Sequence, residues 1–221
     1  PNHRSLAWKV KQFAETEYAH RYLEIELKPL SDADCNALVD RLLQVTHLPE
    51  NMRGMILEKS DGNPFFLEEV IRSLIDNEVV VQNPVSAEWE VAAGVSQLTI
   101  PDNLQALITA RIDRLEDTAK RILQMAAVIG RSFYHQVLEI ILGATAELDY
   151  ELNNLQRLGL ILEAAREPDL EYAFRQALTH ETAYSTILLK HRREFHRKVG
   201  EVLLQLYPER ADEFATVLGH H

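Results

Sequence analysis

The residues able to do chemistry in this 221-residue sequence fall into a few short strings. Ser60-Asp61-Gly62-Asn63-Pro64 is a turn running into an apolar helix. Asn63 is a good N-cap, and Pro64 suits the first helical position, where its missing N–H costs nothing. A rigid proline there offers an apolar surface and leaves nearby backbone N–H groups free for a ligand. A plain helix N-terminus uses the same residues. Glu68-Glu69 reads either as an acid pair or as charge complementing a helix start. His180-Glu181-Thr182-Ala183-Tyr184 opens like a zinc-protease helix, but Tyr184 stands where the second histidine ligand is required. His191 and His196, five residues apart, share no helix face, and Cys35 lies on an apolar stripe. There is no Gly-Lys dipeptide, hence no phosphate loop, and Gly130-Arg131-Ser132-Phe133 only superficially resembles a nucleophile elbow. Lys190, Arg192, Arg193, Arg197 and Lys198, beside His191 and His196, form a basic cluster that reads as a solvated face, an intramolecular contact or a nucleic-acid patch. No string assembles a nucleophile, an acid–base pair or a metal set. The chain is therefore expected to perform no chemistry by itself.

The elements that position these residues are mostly helical. Tyr22 to Leu27 alternate apolar and acidic side chains, as a half-exposed strand does. Ser31 caps a helix with Asp32 and Asp34 at its positive end and Cys35, Leu38, Val39, Leu42 and Leu43 as its buried stripe. Pro49 starts a short helix carrying Met52, Met55 and Ile56. The helix after Pro64 carries Phe66, Val70, Ile71, Leu74 and Ile75 and ends near Asn77. A β-rich stretch around Asn83-Pro84 follows. After Ile100, four helical runs are predicted, the last three closed by Gly130, Gly143 and Gly159. GLILEAA and LEYAFR then flank the turn Arg166 to Asp169 as a hairpin. Three helices and a hairpin is the order of a winged helix. Helices over 178–189, 192–206 and 209–218 complete the chain.

The fold class expected is mainly α: a helical lid domain, then a winged-helix domain with a β-hairpin wing, then C-terminal helices. Residues 1–80 would hold the lid and the end of a nucleotide-binding core, 81–99 a β-rich linker or hairpin, 100–188 the winged helix, and 189–221 the start of a repeat-like region. The formal net charge of −11 makes nucleic acid and anionic membranes poor partners. The third helix of the winged unit carries Glu147, Asp149 and Glu151 against Arg157, and the wing carries Glu163, Glu167, Asp169 and Glu171 against Arg166. One cysteine excludes an intramolecular disulfide and fits a reducing, cytoplasmic setting. No apolar run approaches the roughly 18 residues of a membrane span. A start at Pro1 suggests an excised piece, and the closing His220-His221 is assigned no role.

Four strings in order, ILEKSDGNPFFLEEVIRSLID, IPDNLQALITARIDRL, AKRILQMAAVIGRSF and FRQALTHETAYSTILLKHRREFHRKVGE, resemble the STAND-class predicted ATPases, in a region adjoining their phosphate-binding core. That resemblance covers nearly the whole chain. It implies a nucleotide switch in which Gly62, Asn63 and Pro64 match a GxP motif whose proline packs by the adenine. It also implies a position, here Gln176, where related sequences carry a histidine that contacts a phosphate. Gln176 can donate a hydrogen bond but carries no charge, and His180, one turn along, is the candidate substitute. ATP or ADP with Mg²⁺ would bind the full-length parent, and this piece alone would hold neither tightly. The implied partners are the missing N-terminal nucleotide-binding core, and a cyclase domain and tetratricopeptide-like helical repeats in the same chain. The rival expectations are a winged-helix DNA-binding regulator and a helical interaction module that never meets nucleotide.

Overall fold

The computed structural model describes residues 6–43, 48–82, 89–92, 100–101, 103–143 and 146–208. Over these residues the protein is mainly helical, with two small antiparallel sheets. The first half comprises α1 (Leu6–Glu17), α2 (Asp32–Leu43), α3 (Glu50–Ser60), α4 (Pro64–Asp76) and a hairpin of β1 (Val80–Gln82) with β2 (Trp89–Val91). Its expected tip around Asn83-Pro84 lies outside the described residues. Ser31 caps α2 as its sequence requires, accepting from the Asp34 N–H at 3.2 Å. Cys35, Val39 and Leu43 of α2 meet Met52 and Ile56 of α3 and the long apolar face of α4. Ile100 and Leu107 close the same core, so the chain beyond the hairpin returns to seal the first half.

Residues Tyr22 to Leu27 correct an expectation: they form no strand. Leu23, Ile25 and Leu27 are 79%, 74% and 92% exposed. The alternation is present, but a strand also needs a ladder partner, and no described segment supplies one.

The second half comprises α5 (Leu104–Asp113), α6 (Asp117–Ile129), β3 (Ser132–Tyr134), α7 (His135–Leu142), α8 (Ala146–Arg157), β4 (Ile161–Ala165), β5 (Glu171–Phe174), α9 (Ala177–Ser185) and α10 (Leu189–Leu206). The hairpin β4–β5 forms as expected. The three-residue strand β3 was not expected; it pairs with β5 to give the order β3-β5-β4. Gly159, at φ +70°, ends α8: its N–H reaches the Gln156 carbonyl and the Leu160 N–H reaches that of Leu155, the paired bonds of a Schellman cap. The helix expected over 178–189 stops earlier, at Ser185. There the Ser185 and Thr186 hydroxyls bond back to the Thr182 and Ala183 carbonyls, in place of further helical turns. The helix expected over 209–218 lies outside the described residues. The second core gathers Leu123, Phe133, Leu138, Leu152, Leu155 and Phe174, with Phe195 and Val199 of α10 laid against them.

The two cores meet along α4 and α5. Leu104 touches both, and Phe65 of α4 reaches the second core. Glu69 and Arg111 form an ion pair at 2.9 Å in this seam, with both side chains 10% exposed or less. Arg72 reaches across to the Leu158 carbonyl at 3.2 Å. The reading of Glu69 as charge complementing a helix start is thus corrected: its carboxylate points into the seam and answers a guanidinium 42 residues away.

Candidate functional site

The corner Asp61-Gly62-Asn63-Pro64 is fixed by the backbone on both sides. Asp61 and Gly62 have φ of 46° and 71°, two consecutive left-handed residues that reverse the chain after α3. A Cβ at Gly62 would lie 2.7 Å from the Leu30 carbonyl oxygen and 2.7 Å from the Pro29 Cβ. Glycine is needed here for conformation and for space. The Leu30 N–H donates to the Gly62 carbonyl at 2.9 Å, which ties the start of α2 to the start of α4. Asn63 Oδ1 accepts from the Phe65 and Phe66 N–H groups at 3.0 and 3.3 Å, and Pro64 follows at the first helical position.

This geometry corrects the expectation of free amides at the helix start. The Phe65 and Phe66 donors are taken by Asn63, and Pro64 has none. The N-terminus of α4 is therefore no phosphate cradle. What the corner leaves exposed is Pro64, whereas Phe66, Leu67, Glu69, Val70 and Ile71 after it are buried. The corner thus offers an exposed apolar ring, with the Phe65 and Phe66 amides already bonded to Asn63.

Gln176 lies elsewhere, at the N-cap of α9. Its carbonyl accepts from the Thr179 N–H, and its half-buried side chain makes no cap. Among the described residues no hydrogen bond joins Gln176 to the corner at 62–64. His180 is turned inward: its Nε2 bonds the Ala127 carbonyl at 2.9 Å, and its ring meets Phe174 edge-on at 5.1 Å. That commitment to the core leaves it poorly placed to replace a phosphate-contacting histidine.

The other candidates resolve into structure. Burial, then the carboxylates of Asp32 and Asp34, push the Cys35 thiol above its ordinary pKa, the opposite of an activated nucleophile. Among the described residues no group of three or more metal-ligating side chains gathers. Within the basic cluster, Arg192 lies over the Tyr184 ring at 4.7 Å and donates to the Ile187 and Ser185 carbonyls, while Tyr184 bonds His196 at 2.8 Å. Arg197 and Lys198 pair with Glu201 and Glu194. On the β4–β5 hairpin, Arg166 hydrogen-bonds Glu163 and holds that carboxyl below the usual carboxylate range.

The comparisons with known proteins find partial similarity. A domain of unknown function, DUF8739, matches residues 31–83. That span opens on the cap of α2 and closes just past β1, and it contains the Gly62-Asn63-Pro64 corner. The peroxide stress-activated histidine kinase mak3 of Schizosaccharomyces pombe is 27% identical over 168 residues, 72% of this chain and 7% of that protein. The hybrid signal transduction histidine kinase G of Dictyostelium discoideum is 25% identical over 121 residues, 54% of this chain and 4% of that protein. The chain thus spans less than a tenth of the length of these curated relatives. No solved structure matches. Among the described residues no helix is long and apolar enough to cross a membrane.

Sequence reasoning missed the seam residues Arg72 and Arg111. A signal existed for one pair. Glu69 falls one turn after Phe66, and Arg111 one turn after Leu107, each inside the buried stripe of its helix. A charge in register with an apolar face is a buried charge, and a buried charge needs a partner.

Proposed function

We propose that this chain is the lid and winged-helix portion of a signal-transduction ATPase, coupling the nucleotide state of a phosphate-binding core to a signalling output. On this reading α2–α4 form the lid. The run α6-β3-α7-α8-β4-β5, with its sheet order β3-β5-β4, is the winged helix. The observation that carries the proposal is the Gly62-Asn63-Pro64 corner. Its exposed prolyl ring sits on a turn that glycine, the Leu30–Gly62 bond and the Asn63 cap hold in one conformation. Such a ring can meet an adenine with little further ordering. Lid and winged helix would pack around ADP in a closed state and part on exchange, a two-state element biased by ligand contacts. Both named relatives are histidine kinases, one peroxide stress-activated and one of signal transduction, and this supports a role in signalling.

Calorimetry on the isolated chain and on the full-length polypeptide tests this reading. The isolated chain lacks a phosphate loop, so ADP binding is expected to be no tighter than about millimolar, with no ATP hydrolysis; the full-length protein is expected to bind at about micromolar. Micromolar binding by the isolated chain, or none by the full-length protein, would contradict it. Salt-dependent retention of duplex DNA would favour a transcription regulator instead.

A further inference from the structure

We infer that the cleft between α4 and α5 is a binding site for a small aliphatic carboxylate, with Arg114 holding the head group. The cleft has a volume of about 390 Å³, inside the range of about 300–1,000 Å³ that small organic ligands occupy. At about 30 Å³ for each water-sized group it takes on the order of ten non-hydrogen atoms. Its floor is apolar. Val70 and Leu74 of α4, Leu107 of α5, and Val79 and Ile100 line it, and all but Val79 are at most 4% exposed. Among the described residues that line it there is no aromatic ring, so the walls suit an aliphatic body rather than a stacked base.

Ser73, Asn77 and Arg114 make up the polar side of the cleft. They are already linked: Arg114 Nη2 donates to Asn77 Oδ1 at 2.6 Å, and Asn77 Nδ2 donates to the Ser73 hydroxyl at 3.1 Å. Asn77 is neutral, so the exposed guanidinium is positioned but not neutralised. Among the described residues Arg114 has no ion-pair partner, whereas Arg111, three residues earlier on the same helix, has Glu69. A guanidinium takes a carboxylate through two parallel charge-assisted hydrogen bonds of about 2.8 Å. An apolar floor with one oriented cation at its exposed side is complementary to an aliphatic tail that ends in a carboxylate. A second cleft, of about 360 Å³, carries no such preference, because Asp117 and Glu147 line it together with Arg121. Both α4 and α5 supply walls of the first cleft, and the two cores meet along them, so an occupant adds contacts across the seam. The inference needs no nucleotide core and stands apart from the function proposed above.

Titration of the 221-residue chain with sodium octanoate, followed by backbone amide NMR shifts, tests it, with octanol as the uncharged probe. Octanoate is expected to saturate with a Kd on the order of 0.1 mM and to move the amides of Ser73, Ala110 and Arg114; octanol should bind about tenfold more weakly. Arg114→Gln keeps a donor for Asn77 and removes the charge. It should weaken octanoate about tenfold and leave octanol unchanged, a split that a merely structural role would not produce. Ala110→Leu fills the cleft and should abolish binding of both probes without lowering the melting temperature. Arg121→Gln, in the second cleft, should bind octanoate as the wild type does. The inference is overturned if octanoate shows no saturable binding, or if Arg114→Gln binds it as tightly as the wild type.

Discussion

Helices α1 and α4 are nearly equal in length, 12 and 13 residues, yet they stand in opposite positions. On α4, Phe66, Leu67, Val70, Ile71 and Leu74 are at most 5% exposed, the N-terminus is capped by Asn63, and the seam charges of Glu69 and Arg72 are engaged. On α1, Leu6, Val10 and Phe13 are 78%, 60% and 60% exposed, and the extended segment behind it exposes its apolar side chains too. Apolar spacing is thus not enough to make a core. What separates the two is whether other elements of the same chain complete the surface that the spacing creates. Stability should therefore concentrate around α4, and α1 should contribute little to it.

The largest contrast is expected between Phe66→Ala and Phe13→Ala. Truncating a buried phenylalanine leaves a cavity and destabilises by about 3–5 kcal/mol, which for a chain of this size lowers the melting temperature by roughly 10 °C. Phe13, exposed beside Tyr18 at 5.7 Å, should change stability by less than about 0.5 kcal/mol. Equal losses in denaturant titrations of the two variants would show that α1 is buried in solution and would dissolve the comparison.

Two glycines sharpen it. Gly62→Ala forces a left-handed alanine whose Cβ meets the backbone of Leu30, and should destabilise by about 2 kcal/mol. Gly54→Ala, in the open middle of α3 with nothing within 4 Å, should stabilise by about 0.5–1 kcal/mol. A neutral Gly62→Ala would mean that the corner is not held as described.

What could be read from the residues alone follows from range. The start of α4 is encoded within four residues, Asn63 to Phe66, and both its cap and its first position came out as the sequence requires. The hairpin β4–β5 is likewise local, its turn and both strands lying within 14 residues, 161–174. The pairing of Glu69 with Arg111 spans 42 positions, and nothing near either residue names the other. Strand β3 is three residues long, too short to show alternation, and exists because β5 lies beside it. The segment 22–27 shows the converse: its alternation is complete but the ladder is missing. The expectation of free amides before Pro64 failed for a local reason. A side chain good enough to cap a helix also occupies the donors a ligand would need.

The central claim, that the Gly62-Asn63-Pro64 corner serves a nucleotide and not only a helix, is tested most directly by Pro64→Ala in the full-length polypeptide. Alanine preserves the Asn63 cap and the first turn, so the loss of stability should stay within about 0.4–1 kcal/mol. Removing the exposed ring should raise the Kd for ADP about tenfold, the equivalent of about 1.4 kcal/mol of lost contact. Titration calorimetry that returns an unchanged Kd for Pro64→Ala, in a protein that binds ADP, would reduce the corner to a helix start.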